Sequence, residues 1–150
     1  MCGIHLIIDS TKSIDAAIIG EMANRARHRG PDETVVKTIE KSQKAYHLAA
    51  NRLKITDQTD FSRQPFMSTN QRFALLFNGE IYNFYTLKNE LLSRGIQFST
   101  PSDTEVLFHW LCVFGEAGIQ QLQGMFAFVF IDFERDKVLI ARDRFGIKPV

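Results

Sequence analysis

Met125-Phe126-Ala127-Phe128-Val129-Phe130-Ile131-Asp132 is the stretch that decides the fold class of this chain. From Met125 to Ile131 every residue is apolar, with aromatic and branched types in the majority and no alternation. A strand with one wet face alternates polar and apolar residues, so an uninterrupted run predicts a strand covered on both faces. Beyond the turn Phe133-Glu134-Arg135-Asp136, residues 137–142 read as its hairpin partner. Upstream, residues 103–114 form an amphipathic helix opened by Pro101-Ser102-Asp103. Residues 86–94 form another, with Leu87, Leu91 and Leu92 on one face and Gly95 as its stop. Residues 72–77 are a strand closing on Asn78-Gly79, and 35–40 and 44–50 are two more around the polar link Lys41-Ser42-Gln43. At the start, residues 3–8 make a short apolar strand and 13–28 a helix ended by Arg29-Gly30-Pro31-Asp32. Strands at both ends with helices between them predict a layered α+β domain.

The length of 150 residues suits one domain with a sizeable core. Eighteen Lys and Arg against 17 Asp and Glu leave a net charge of +1, without the basic excess of a nucleic-acid or membrane binder. Two cysteines, Cys2 and Cys112, are too few for a disulfide framework and lack zinc-ligand spacing, which fits a reducing, cytoplasmic setting. The histidines His5, His28, His47 and His109 show no ligand spacing either, and no metal site is expected. The run Arg25-Ala26-Arg27-His28-Arg29 reads as a cationic helix C-terminus. No glycine-rich phosphate loop is present. The chain stops at Val150 after Phe145-Gly146-Ile147-Lys148-Pro149 with neither helix nor polar tail, which reads as a cut domain.

Position 2 is the first place to look for chemistry. Removal of Met1 would leave a cysteine carrying a free α-amine, a nucleophile and a base in one residue. With reference pKa values of about 7.7–8.0 for the amine and about 8.5 for the thiol, the amine can take the thiol proton without a histidine. The competing reading is a small apolar residue starting a buried strand. Asn78-Gly79 is either a hairpin turn or a pair of oxyanion donors, one from a side-chain amide and one from a glycine N–H. Arg52 is either a solvated strand-end charge or a planar fork for a carboxylate. Asp103 is either a helix N-cap or the partner of an ammonium group.

Met1-Cys2-Gly3-Ile4, Arg27-His28-Arg29-Gly30-Pro31-Asp32, Arg52-Leu53, Gln64-Pro65, Asn78-Gly79-Glu80-Ile81-Tyr82-Asn83, Ser102-Asp103-Thr104-Glu105, Leu122-Gln123-Gly124-Met125-Phe126-Ala127-Phe128 and Ala141-Arg142-Asp143-Arg144-Phe145-Gly146-Ile147-Lys148-Pro149 occur in this order. Together they resemble the class II glutamine amidotransferase domain of glutamine-hydrolysing asparagine synthetases, over nearly the whole chain. The resemblance implies an N-terminal-nucleophile hydrolase fold, a four-layer αββα sandwich of two antiparallel sheets, here incomplete at its C-terminal end. It implies that Cys2, freed of Met1, attacks the side-chain amide of glutamine with its own α-amine as base and then acid. Asn78 and Gly79 match the oxyanion hole, Arg52 the holder of the α-carboxylate, Glu80 and Asp103 the neighbours of the α-ammonium, and Leu53 and Ile55 further substrate contacts. Leu6 stands where many relatives have a small residue, and Ala50-Asn51 where they have a histidine.

The same resemblance implies glutamine as substrate and a synthetase domain as partner, with no cofactor in residues 1–150. ATP and Mg are expected only for that synthetase domain, which is absent here. It allows a homodimer and implies neither nucleic acid nor membrane as partner. Two alternatives stay open: an amidotransferase serving another carboxylate acceptor, and a catalytically silent glutamine-binding or docking module if Met1 is retained.

Overall fold

Alternation along each strand sorts its side chains onto two faces, and in this protein the strands Lys44–Arg52, Phe73–Ile81 and Gly124–Asp132 are buried on both over most of their length. The computed structural model describes residues 2–41, 43–53 and 63–150. In chain order the elements are β1 (Gly3–Asp9), α1 (Ala17–Arg25), β2 (Glu33–Lys41), β3 (Lys44–Arg52), β4 (Phe66–Met67), β5 (Phe73–Ile81), α2 (Phe84–Ser93), α3 (Asp103–Phe114), β6 (Gly124–Asp132) and β7 (Lys137–Arg142). They make two antiparallel sheets, ordered β1-β3-β2 and β4-β5-β6-β7. Three apolar clusters lie between four layers. Ile19 and Ala23 of α1 pack on Ile7 and Ala49 of the first sheet. Tyr46, Leu48 and Ala50 of β3 meet Ala74, Leu76, Val129 and Ile131 of the second sheet. Leu75, Phe77, Phe126, Phe128 and Phe130 turn the other way, onto Leu87, Leu91, Val106, Leu107, Trp110 and Leu111 of α2 and α3. The architecture is therefore the expected αββα sandwich, and β6 is covered on both sides as its apolar run requires.

Two local expectations are corrected and two open alternatives are decided. Helix α1 starts at Ala17, not at residue 13, because the Asp9 carboxylate gathers the backbone N–H groups of Thr11 (2.9 Å) and Ile14 (2.7 Å) into a loop. The chain then leaves α1 through a 3-10 turn, Arg27–Arg29. Asn78-Gly79 is not a hairpin turn: β5 runs through it to Ile81, paired residue for residue with β6. Ser102, not Asp103, caps α3, its hydroxyl accepting the Thr104 N–H at 3.0 Å. The two-residue strand β4 and the 3-10 segment Gly115–Gln121 carry too little periodicity to be read from sequence.

Candidate active site

The layer between the sheets is apolar at one end and polar at the other. On β3 the inward row Tyr46, Leu48, Ala50 ends on Arg52; on β5 the row Ala74, Leu76 ends on Asn78 and Glu80. On β1, Leu6 and Ile4 lead back to Cys2, two residues before Ile4 and so on the same face. Antiparallel pairing of β1 with β3 and of β5 with β6 brings these row ends to one edge. There they line a cleft of about 550 Å3 together with Leu53, Gly79 and Asp103. Seven of the residues singled out from sequence thus share one cavity. Ile55 lies outside the described residues.

Cys2 and Asn78 touch directly. The Cys2 backbone nitrogen donates to Asn78 Oδ1 at 3.0 Å. With Oδ1 turned to Cys2, Asn78 Nδ2 makes no hydrogen bond among the described residues. Gly79 is required sterically: a Cβ there would stand 2.1 Å from the Met125 carbonyl oxygen and 2.7 Å from Phe126 Cα. Asn78-Gly79 is therefore part of a continuous strand, with Asn78 on the cleft and Gly79 closely backed by Met125 and Phe126.

Arg52 is buried, not a solvated end charge, with 7% of its surface exposed. Asp103 stands on the first turn of α3 and accepts the Ile81 N–H through Oδ2 at 2.9 Å, pinning the helix to the end of β5. Burial raises its carboxyl above the ordinary aspartate value, and the charge of Glu80 pushes in the same direction while the Ile81 N–H opposes both. Glu80 itself is exposed at the cleft edge. The cleft thus offers a thiol, an amide nitrogen, a guanidinium from the first sheet and two carboxylates on the side of the second.

Two cleft residues carried no role in the sequence reading. Gln64 is buried and doubles as a piece of strand: its Nε2 donates to the Phe77 carbonyl at 2.8 Å and its Oε1 accepts the Phe77 N–H at 2.7 Å. Lys148 is also buried and lines the cleft. It arrives from a loop knotted on Asp143, whose carboxylate accepts N–H groups from Phe126, Phe145, Ile147 and Lys148. Burial works against that charge, yet the four N–H groups outweigh it and hold the carboxyl down at about 2. Their only sequence signal was membership of the Gln64-Pro65 and Asp143-to-Pro149 motifs. Cys112, on α3, lies away from the cleft, and burial pushes its thiol up to about 12. Leu6 packs between the sheets. Asn51 bonds the Ala23 carbonyl and Thr34 through Nδ2 and His5 through Oδ1, each at 3.0 Å. Among the described residues no group of three or more His, Cys, Asp or Glu is placed to hold a metal, and no helix is long and apolar enough to cross a membrane.

The family described as glutamine amidotransferase domain matches residues 1–150. Among curated proteins, the chain is 40% identical to an asparagine synthetase [glutamine-hydrolyzing] 2 of Arabidopsis thaliana, over 100% of this chain and 25% of that protein. To asparagine synthetase [glutamine-hydrolyzing] 3 of Bacillus subtilis (strain 168) it is 35% identical, over 99% of this chain and 24% of that one. The chain spans about a quarter of the length of these relatives. Among solved structures, the glutamine phosphoribosylpyrophosphate amidotransferase of B. subtilis complexed with ADP and GMP superposes with a TM-score of 0.71 at 22% identity, covering 97% of this chain and 38% of that one. At that identity the likeness speaks for the fold.

Proposed function

The chain belongs to the glutamine amidotransferase domain family, and on that premise we propose that it hydrolyses glutamine to glutamate and ammonia with Cys2 as nucleophile. One observation carries the reading: the Cys2 nitrogen bonded to Asn78 Oδ1 inside a cleft that also holds Arg52 and Asp103. With Met1 removed, that nitrogen is the α-amine. It accepts the thiol proton as Sγ bonds to the glutamine amide carbon, and returns a proton to the nitrogen as the C–N bond breaks and ammonia leaves. The tetrahedral oxyanion between these events takes donors from Asn78 Nδ2 and the Gly79 N–H. Water then attacks the thioester carbon, the amine accepts its proton, and the C–S bond breaks to release glutamate and restore the thiol. Arg52 holds the substrate α-carboxylate by a charge-assisted contact, and Glu80 and Asp103 its α-ammonium. Leu53, beside Arg52 on the cleft wall, is assigned to the aliphatic part of the substrate, and Ile55 is carried as a further contact on the resemblance alone.

The printed names of the relatives, and their fourfold greater length, support a place for residues 1–150 as the glutaminase part of a longer asparagine synthetase-like protein. In that reading the ammonia amidates aspartate in a synthetase domain, and ATP and Mg belong there. The test pairs intact mass with a glutaminase assay. A mass lacking Met1, together with glutamate release that disappears in Cys2→Ala, supports the reading. Equal rates in Cys2→Ala and wild type would remove it.

A further inference from the structure

Glu105 closes the motif Ser102-Asp103-Thr104-Glu105, and unlike the three residues before it, it does not line the cleft. It lies behind that wall with only 2% of its surface exposed. Its two oxygens share the Ser99 N–H at 2.9 and 3.1 Å, and Oε2 also accepts the Thr100 N–H at 2.6 Å and the Thr100 hydroxyl at 2.7 Å. Burying a carboxylate is costly unless it is hydrogen-bonded, and bonds to a charged acceptor are among the strong ones. Glu105 therefore ties down the two residues that lead into Pro101 and the start of α3.

Those bonds set the geometry of the helix start. In a capping box the glutamate three residues after the cap reaches back to the N–H of the cap residue itself. Here Glu105 reaches past Ser102, and Thr100 takes over that duty: its hydroxyl donates to Glu105 and accepts the Ser102 N–H at 3.2 Å. Ser102 in turn accepts the Thr104 N–H at 3.0 Å. Residues 99–105 are thus closed into one ring of bonds, and Asp103 is the first helical residue inside it. Asp103 Oδ2 accepts the Ile81 N–H at 2.9 Å. Its carboxylate is therefore held twice, by β5 through its own oxygen and by Glu105 through its backbone.

We propose that Glu105 is a positioning residue for glutamine recognition: by tying Ser99 and Thr100 to the first turn of α3, it holds the Asp103 carboxylate where the substrate α-ammonium meets it. This rests on the assignment of Asp103 to that ammonium. Once the ring is opened, the substrate must order the helix start itself, and binding weakens while bond-making at Cys2 is untouched.

The experiment compares wild type, Glu105→Ala, Glu105→Gln, Thr100→Val, Thr100→Ser and Asp103→Asn in the full chain. Glutamine is the substrate, and glutaramate, which keeps the amide and the carboxylate but lacks the α-ammonium, is the competitive inhibitor. Glu105→Ala is expected to raise KM for glutamine roughly three- to tenfold with kcat little changed. Glu105→Gln, which keeps the length and one acceptor oxygen, should fall between it and wild type. Thr100→Val removes the hydroxyl that bridges Glu105 and Ser102 and should raise KM roughly two- to fivefold, whereas Thr100→Ser restores that hydroxyl and should behave as wild type. These milder variants carry the test if the alanine variant does not fold. The inhibition constant of glutaramate should be the same in wild type and in the Glu105 and Thr100 variants, because it gives Asp103 nothing to hold. If Asp103→Asn raises KM while Glu105→Gln and Thr100→Val do not, the proposal falls and the assignment of Asp103 stands. Inhibition by glutaramate that weakens along with KM also overturns it, since the damage would then be general. An unchanged KM in Asp103→Asn overturns the assignment of Asp103 and this proposal with it.

Discussion

The two ends of the layer between the sheets are built on the same strands and differ in almost everything else. At the closed end, Tyr46 and Phe133 meet edge to face with ring centroids 5.0 Å apart, among Ile39, Ala74 and Ile131. At the open end the same rows finish on Cys2, Arg52, Asn78 and Glu80 around a cleft. Apolar side chains at the first end gain from leaving water, whereas buried polar groups at the second are tolerated only where they find partners or a ligand. The comparison teaches that stability and chemistry are divided along the strands rather than between elements, so substitutions at opposite ends of one row should have separable effects.

The sharpest test is Cys2→Ala. It should reduce glutamate release by on the order of a thousandfold or more, because the proposed nucleophile is the one thiol on the cleft among the described residues. The thermal midpoint should stay close to that of wild type, and a collapsed midpoint would show that the open end is structural after all. Asn78→Ala should come next, with kcat lower by roughly 10²–10³-fold if its amide is an oxyanion donor and KM nearly unchanged. An unchanged kcat would return Asn78 to a purely structural strand position.

Leu48→Ala probes the other end of the row that finishes on Arg52. Leu48 is fully buried between the sheets, and its truncation should cost about 2–5 kcal/mol, read as a lower denaturation midpoint. The kcat of the folded fraction should hold. A matching loss of kcat would mean that the two ends are coupled through the strand.

Asp103→Asn gives the smallest and most informative change. The half-buried Asp103 carboxyl is raised above its unfolded value, so its protonated form is the one the fold favours, and the stability this adds at low pH is lost as pH rises through the folded pKa. At neutral pH the charged form is therefore a burden on the fold. Replacing it with asparagine should raise the thermal midpoint near pH 7, while KM for glutamine increases through loss of the proposed ammonium partner. The gain should shrink as pH falls into the carboxylate range. A lower midpoint at pH 7 would show that the Ile81 N–H contact outweighs desolvation.

How far the sequence could be read depended on whether the governing interaction was local. Helix α3 and strand β7 have the bounds that periodicity predicts, Asp103–Phe114 and Lys137–Arg142. Asn78-Gly79 could not be decided from sequence because its hairpin tendency is a local preference, overridden here by continuous pairing with β6 and the tight approach at Gly79. The start of α1 misled because one carboxylate, Asp9, organises the residues before it. At the site, Cys2, Arg52, Asn78 and Asp103 were legible as chemical types in motifs. Lys148 was not, since a lone lysine within a longer motif does not stand apart from an ordinary surface charge.

The sequence by itself determined which strand faces are apolar, that β6 is covered twice, and that a cysteine stands at position 2 ahead of the first strand. Those properties follow from a side-chain period of two, which each strand carries within itself. Only the tertiary structure decided that the polar ends of three rows, from strands as far apart as Cys2 and Asn78, meet at the same edge. Register between strands and the stacking of one sheet on the other are long-range choices, made by packing of the rows as a whole, and no single segment contains them.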